Sequence, residues 1–197
     1  MKKGLLITIA IIVILGIIIY SFFGGKYNNM VSMDEQVATQ WANVETQYQR
    51  RADLIPNLVN TVKGFANQEK EVFTQVVEAR SKATSIQIDP SKLDAAAMQK
   101  FQNAQSQLSG ALSRLLVTVE RYPELKSNQN FLELQAQLEG TENRIAVERR
   151  RYNEAAQSYN TYIRQFPNNL LSGMYGFERR PLFEAQQGAD KAPQVSF

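Results

Sequence analysis

The chain has 197 residues, a length typical of one domain or of one domain with an appendage. It contains no cysteine and no histidine, which excludes disulfides, thiol nucleophiles, imidazole general bases and metal sites built on thiolate or imidazole ligands. Basic residues outnumber acidic ones by 22 to 19, but three of the lysines flank the first apolar run, so residues 27–197 carry 19 of each sign. The chain therefore lacks the basic domain expected of a protein that binds nucleic acid.

An uncharged apolar run occupies residues 4–23, with the sequence GLLITIAIIVILGIIIYSFF. At ~1.5 Å per residue, a helix of this length crosses the ~30 Å hydrocarbon core of a bilayer. The run is longer than the ~7–15 apolar residues of a cleaved signal peptide, and the sequence FFGG at residues 22–25 is a poor cleavage site. Residues 1–26 are therefore predicted to be an uncleaved membrane anchor. No comparable run follows in the sequence, which predicts a single-pass protein.

Positive charges are more numerous before this run than after it. The α-amine, Lys2 and Lys3 precede the run, and only Lys26 follows it closely. Lysine and arginine are enriched on the cytoplasmic side of membrane helices. The asymmetry therefore predicts a cytoplasmic N-terminus, with the remaining domain on the other side of the membrane.

The next part of the chain, residues 27–167, has the composition and the apolar periodicity of packed helices. Ala, Gln, Glu, Leu, Arg and Asn dominate it, and prolines are few. Steps of four and three residues from Val37 reach apolar side chains up to Ala83, interrupted only by Arg51 and Glu69. Similar seams run over residues 98–122 and 131–166. The sequence thus predicts an all-α domain with helices at about 28–84, 91–122 and 129–166.

The first of these segments is long compared with its partners. As one helix, residues 28–84 would measure ~85 Å, against ~48 and ~57 Å for the other two. Either the segment turns back near residues 53–56, giving four helices, or it stays one kinked helix whose lower part is a stalk. The unbroken seam favours the stalk, whereas the length and Pro56 favour the turn. Asp89, just before Pro90, is the predicted N-cap of the next helix.

The tail, residues 168–197, lacks a helical repeat and mixes glycine, proline and scattered aromatic residues. We predict an irregular tail whose last dozen residues are disordered. Its aromatic and apolar side chains can pack back onto the helical domain, touch the membrane surface or contact a neighbouring protomer. These side chains are Tyr175, Phe177, Leu182 and Phe183.

Several sequence blocks resemble, in the same order, the LemA family of bacterial membrane proteins. The first blocks are Trp41, Tyr48, the run RRADLIPNLV at residues 50–59, Val62-Lys63-Gly64 and Ala79-Arg80. The later ones are YPELK at residues 122–126, Asn130-Phe131, Leu138-Glu139, TENRIA at residues 141–146, Arg151-Tyr152-Asn153, Tyr159-Asn160, Phe166-Pro167, Gly176-Phe177 and Phe183. Because the blocks keep their order over nearly the whole chain, the resemblance is specific.

The resemblance implies one transmembrane helix in the bacterial inner membrane followed by a bundle of four antiparallel helices, which favours the turn near Pro56. It also implies that no enzymatic activity or cofactor is established. Members of the family are associated with membrane organisation, including magnetosome formation, and often have a neighbouring gene for an HtpX-type membrane protease. The expected partners are therefore the membrane, other copies of the chain and a protease of that type.

The charged residues that interrupt the apolar seams are candidates for a site. Burying Arg51, Glu69 or Glu148 without a partner would cost on the order of several kcal/mol, so each is expected to find a partner or to face water. We predict that Arg51 and Glu148 pair inside the helical domain, with Glu69 as the competing partner of Arg51. A metal site formed by Glu69, Glu142 and Glu148 is the weaker alternative. Inward metal sites in bundles use Glu-x-x-His pairs, and this chain has no histidine.

A basic stripe and the tail aromatics are the candidates for a contact surface. Arg149, Arg150 and Arg151, beside Arg144, form either a solvated face or a site for anionic headgroups or an acidic partner. In the tail, the candidates are Tyr175, Phe177 and Phe183.

Together these features predict a non-enzymatic, membrane-anchored structural or scaffold protein of the bacterial envelope, which self-assembles and takes part in membrane organisation or envelope quality control. The alternative is a sensor that binds a small molecule between helices near Arg51 and Glu148. A hydrolase that uses only carboxylates is the weakest hypothesis, because no pair of acidic residues has a favourable spacing. No cofactor, metal or nucleic acid is expected.

Overall fold

The computed structural model describes residues 2–66 and 68–184, without the side chains of residues 2, 3 and 91. Every regular element in these ranges is helical and no strand occurs in them, as the sequence predicts. The α-helices are, in chain order, α1 (Lys2–Lys63), α2 (Lys70–Ser85), α3 (Ala95–Val119), α4 (Pro123–Lys126), α5 (Gln129–Arg164) and α6 (Asn168–Tyr175). A short 3₁₀ turn, Pro90–Lys92, lies between α2 and α3.

Helix α1 joins the apolar run and the first core-facing seam in one element of 62 residues. The leucine, isoleucine and valine side chains of the run are exposed. Within the described residues, α1 is the one helix long and apolar enough to cross a membrane. A continuous apolar surface of this size is stable only when something apolar covers it. The prediction of one long apolar N-terminal helix is confirmed.

The seams predicted from the sequence form the core. Their buried side chains on α1 include Val37, Trp41, Val44, Ile55, Leu58 and Val62. Those on α3 and α5 include Met98, Phe101, Leu108, Leu115, Phe131, Ile145, Tyr152 and Tyr159. Phe65 and Phe166, near the ends of their seams, are exposed instead, because each lies beyond the last residue of its helix.

The chain does turn back after its first long helix, but not at Pro56. Helix α1 passes through Pro56 and ends at Lys63, and the turn occupies the residues between α1 and α2. A proline inside a helix leaves the carbonyl four residues earlier without its N–H donor. Here that carbonyl belongs to Ala52, and Nε of Arg80, on α2, donates to it at 2.7 Å. Neither alternative for residues 28–84 is therefore right: the segment does not turn at Pro56, and it does not continue as one helix to its end.

Contacts between side chains give the direction of the helices that pack on α1. The most extensive pairing is between α1 and α5. These two run antiparallel, because Asn29 Nδ2 donates to Tyr162 OH at 3.4 Å near one end and Arg51 binds Glu142 at 2.9 Å farther along. Helix α2 packs mainly on α3, with Arg114 donating to Gln75 across the pair at 3.0 Å.

Two N-caps set the starts of the later helices. Asp94 accepts a hydrogen bond from the Ala97 N–H at 2.7 Å and begins α3. Asn128 accepts one from the Phe131 N–H at 3.1 Å and begins α5. The next α-helix does not begin after Asp89 as predicted, because Pro90–Lys92 form only a 3₁₀ turn and α3 begins at Ala95, after its N-cap Asp94.

The beginning of the tail is more ordered than predicted. Residues 168–175 form helix α6, which ends at Gly176, where φ is +75° and favours glycine. We call residues 176–184 the C-terminal strap, which has no regular secondary structure but packs on the helices. The predicted disorder of the last dozen residues concerns a part of the chain that lies outside the described residues.

Candidate functional site

A buried arginine lies in the middle of the helical domain. The Arg51 side chain is 3% exposed. Its guanidinium donates to Gln105 Oε1 at 2.6 Å, to Ser109 Oγ at 3.1 Å and to Glu142 Oε2 at 2.9 Å. It also lies over the ring of Tyr48, 5.0 Å from the centroid. These five residues come from α1, α3 and α5, and we call them the arginine layer.

The arginine layer separates two apolar clusters of the core. One cluster lies beyond it on α1, from Ile55 onward, and includes the inner faces of α2 and α3. The other lies toward the membrane run, from Met30 to Tyr48 on α1, and includes the second half of α5. A polar layer inside an apolar core fixes the register of the helices, because a shift of one helix would leave the buried charge without its partners.

The predicted pair of Arg51 with Glu148 is wrong. Glu148 Oε1 accepts instead from Arg151 Nη1 at 2.8 Å, on its own helix. The antiparallel packing of α1 and α5 places Glu142 opposite Arg51, and Glu148 lies six residues, or ~9 Å, farther along α5. The Glu142 side chain is 58% exposed, so the buried guanidinium meets its counter-charge at the edge of the core.

Glu69 belongs to a separate cluster at the turn between α1 and α2. Its Oε1 accepts from Arg121 Nη2 at 3.0 Å and from Tyr122 OH at 3.1 Å. Glu69 is therefore not the competing partner of Arg51. Glu69, Glu142 and Glu148, the carboxylates of the alternative metal site, each bind a different arginine and do not converge. The described residues contain no cluster of acidic side chains that could hold a metal ion.

The arginines predicted to form one basic stripe point to different partners. Arg149 Nη2 donates to the carbonyl of Glu184 at 3.1 Å, and its guanidinium lies 4.7 Å from the centre of the Phe183 ring. Arg150 is exposed and only 3.9 Å from a carboxylate oxygen one turn away. Arg151 binds Glu148, as described above. The three arginines therefore do not form one surface: Arg149 binds the strap, Arg150 faces solvent and Arg151 binds a carboxylate of its own helix.

Two asparagines of α5 hold the backbone of the C-terminal strap. Asn160 Oδ1 accepts from the Arg180 N–H at 2.8 Å, and its Nδ2 donates to the Arg180 carbonyl at 2.8 Å. Asn153 binds Phe183 in the same way, at 2.9 and 3.0 Å. Seven residues separate the asparagines, which places both on one face of the helix. Together they satisfy backbone groups of the strap without a sheet.

Two side chains of the strap reach into the helical domain. Phe183 is buried, with its ring stacked at 5.8 Å on Trp41 and edge-on at 5.4 Å to Tyr152. The Arg180 guanidinium binds both oxygens of Asp34, on α1, at 2.8 and 2.9 Å. The strap therefore joins α5 to α1. Sequence reasoning selected Phe183 but missed the ion pair, since 146 residues separate its members and no local pattern marks them.

The other two tail aromatics lie near the apolar run. The ring centroids of Tyr175 and Phe177 are 4.9 and 5.6 Å from that of Tyr27 on α1. Tyr175 is largely exposed, whereas Phe177 is partly buried. The structure therefore places the three predicted tail candidates in two groups, with Phe183 in the core and the other two at its membrane-proximal edge.

Buried phenols accompany the strap. Burial raises the pKa of Tyr159 to about 12, and the Asp34 carboxylate adds to the effect. Burial also raises the pKa of Tyr152, whose hydroxyl donates to the Pro181 carbonyl at 2.9 Å. Both phenols are therefore neutral at physiological pH, and neither serves as a base there.

An open groove of about 740 Å³ lies beside the arginine layer, between α1, α2 and α3. Its wall includes Tyr48, Phe101 and Gln105, and its rim carries Glu45 and Arg50. Burial raises the pKa of the Glu45 carboxyl. In this groove a small molecule would meet both apolar and charged side chains.

Comparison with known proteins extends these findings. The model of the LemA family matches residues 40–197. Magnetosome protein MamQ 2 of Paramagnetospirillum magneticum is 27% identical over 182 residues, which cover 84% of this chain and 67% of that protein. Magnetosome protein MamQ of Magnetospirillum gryphiswaldense is 27% identical over 190 residues, covering 86% and 70%. Because the family model matches most of the chain, the chain belongs to the LemA family.

Proposed function

We propose that this chain is a non-enzymatic structural protein, anchored in the inner membrane, that holds a helical domain at a fixed position on the bilayer. The observation that carries this proposal is the continuity of α1, which includes both the apolar run and the helix on which α5 packs. A helix without a linker transmits position and orientation from the membrane to the domain.

The domain held in this way is an antiparallel bundle of four helices, formed by the second half of α1 with α2, α3 and α5. Arg51 supports this arrangement, because it reaches α3 and α5 from α1 and each contact fixes the height of one helix against another. The hydrogen bond from Arg80 to the Ala52 carbonyl fixes the position of α2 along α1, next to Arg51. The strap adds a further tie, so the surface of the bundle is rigid and suited to repeated contacts with other copies.

The charged groups of the core support a structural role over a catalytic one. Arg51, Glu69, Glu148 and Arg180 each bind a partner inside the protein, as expected of groups that set geometry. The relatives, named magnetosome proteins, suggest membrane organisation as the setting, and we extend that setting to this chain.

The size of the assembled protein tests this proposal. Light scattering of the full-length chain in detergent is expected to show an oligomer of defined size. The fragment 27–197 is expected to contain fewer copies per particle. If both preparations are monomeric, the scaffold hypothesis is wrong.

The orientation of the chain in the membrane can be tested in cells. The few positive charges around the run favour a cytoplasmic N-terminus and a bundle outside the cytoplasm. A single cysteine at exposed Asn43, in this cysteine-free chain, should then react with a membrane-impermeant maleimide on intact spheroplasts. Reaction only after the inner membrane is opened would reverse the orientation.

The groove beside the arginine layer favours a second function, that of a sensor. A small molecule with an apolar body and a charged group would fit its Tyr48 wall and its Glu45 and Arg50 rim. Binding to the folded state raises its melting temperature. The sensor hypothesis predicts that such a shift disappears in the Arg50→Ala variant, whereas a rise of the same size in that variant would place the ligand elsewhere.

A further inference from the structure

Helix α6 presents apolar side chains that the rest of the chain does not cover. Leu170 and Met174, one turn apart, are 57% and 76% exposed, and Phe166 just before the helix is 82% exposed. The opposite face of α6 is buried through Leu171 and Ser172. The helix carries no charged residue, with the sequence NNLLSGMY. It therefore has one face bound to the bundle and one apolar face that needs another cover.

The position of α6 identifies that cover. Tyr175, at its end, contacts Tyr27 of α1, which lies four residues, or ~6 Å, beyond the apolar run. Leu171 and Tyr175 also line a cleft of about 620 Å³ whose other wall includes residues 19–21 and 23–25 of α1. That wall contains the last residues of the run itself. Helix α6 thus lies at the height where the run leaves the hydrocarbon.

The surrounding side chains are those that favour a membrane–water boundary. Tyr20 and Tyr27 on α1 and Tyr175 on α6 are exposed at this height, and tyrosine is enriched at both edges of a bilayer. Lys26 Nζ lies 5.7 Å from the centre of the Tyr162 ring, at the end of α5. A lysine among aromatic rings can extend its ammonium to the headgroup phosphates while its stem stays on apolar surface.

We propose that α6 lies in the surface of the same bilayer that α1 crosses, with Phe166, Leu170 and Met174 inserted at the boundary between headgroups and acyl chains. The partner is lipid and not a second copy, because Leu171 and Tyr175 place α6 beside the last residues of the run, at the level where the run leaves the bilayer. The bundle then contacts the membrane at two places, the end of the run and α6, which fixes its tilt. The inference rests on the proposed membrane span.

Fluorescence quenching in vesicles tests the inference on the full-length chain. The chain has no native cysteine, so single variants Leu170→Cys and Met174→Cys can carry an environment-sensitive dye. Ile12→Cys serves as the control inside the run. Val117→Cys, which is 70% exposed and near the end of α3, is the matched apolar control on the bundle. Brominated lipids quench dyes in the bilayer, and iodide quenches dyes in water.

Insertion of α6 predicts blue-shifted dyes at positions 170 and 174 that brominated lipid quenches several-fold more than it quenches the dye at 117. If those two positions behave like 117 while position 12 is quenched by lipid, the α6 inference is wrong and the span stands. A blue shift without lipid quenching would mean that protein covers α6, which also overturns it. If position 12 is itself quenched by iodide and not by lipid, the proposed anchoring fails.

Discussion

The Arg80 bond to the Ala52 carbonyl predicts a specific coupling with Pro56. Pro56 has no N–H, so the Ala52 oxygen, in a residue that is 2% exposed, relies on Arg80 Nε at 2.7 Å. Leaving a buried carbonyl without a donor costs about 1–3 kcal/mol. The change Arg80→Met keeps an aliphatic side chain but removes the donor, and we expect the free energy of unfolding to fall by about that amount.

In a Pro56→Ala background the same change should cost much less. The new N–H at position 56 donates to the Ala52 carbonyl in the ordinary helical pattern, so that oxygen keeps a donor when Arg80 is lost. The double-mutant cycle should therefore give a coupling of about 1–2 kcal/mol between residues 56 and 80.

Urea denaturation followed by circular dichroism measures the four variants. The fragment 27–197 is suitable because all buried residues of the described chain lie at or after Met30. Arg114→Met is the matched control, since this exposed arginine also bridges to another helix, and we expect it to change stability by less than about 0.5 kcal/mol. An Arg80→Met cost that is equal in both backgrounds, or no larger than that of the control, would mean that Arg80 does not replace the donor that Pro56 lacks.

Three further predictions concern the arginine layer and the strap. In a double-mutant cycle measured by urea denaturation, Arg51→Met and Glu142→Gln should couple by about 1 kcal/mol, less than a fully buried pair because Glu142 is half exposed. Arg51→Met and Glu148→Gln should have additive effects on the free energy of unfolding. Coupling to Glu148 without coupling to Glu142 would contradict the proposed contacts of the arginine layer. Because the pKa of Tyr159 is raised in the folded state, its neutral phenol contributes stability below pH 10 that is lost as the pH rises from 10 toward 12. Tyr159→Phe should therefore make the fall in the free energy of unfolding over this pH range shallower. An unchanged slope would mean that the Tyr159 phenol does not contribute to the fall. Asn160→Ala should make the strap a better trypsin substrate by several-fold relative to the exposed control Asn143→Ala, measured by limited proteolysis of the full chain, and equal cleavage rates would mean that the asparagine does not hold the strap.

The sequence predicts the helices well because burial repeats along each of them. The seam from Val37 to Ala83 needs only local spacing, and the structure confirms its buried members. The turn position is a different problem. Pro56 removes one helical hydrogen bond, and whether Arg80 supplies another donor to the freed carbonyl depends on how α2 packs. That is tertiary information, which the local pattern does not contain.

The site residues show the same division. Arg51 could be identified as a buried charge, because it interrupts an apolar seam, but its partner could not. Glu142 and Glu148 both lie on α5, and the choice between them depends on the axial position of one helix against another. The contacts of the strap are even harder to predict from the sequence. Its asparagine contacts join residues 20 and 30 positions apart through backbone groups, which every residue carries.

The proposed anchoring depends on an unbroken α1, and a distance between two spin labels measures whether the helix is unbroken. Labels on Val13→Cys, in the run, and Asn43→Cys, in the bundle, flank Gly24 and Gly25, where a hinge would form most easily because glycine disfavours the helix by ~1 kcal/mol. In lipid nanodiscs, with unlabelled protein added to suppress signals between copies, an unbroken helix predicts one narrow distance distribution near ~45 Å. A broad distribution at shorter distances would show that α1 is broken between the labels and that the bundle is only tethered to the membrane, which would contradict the proposed rigid connection.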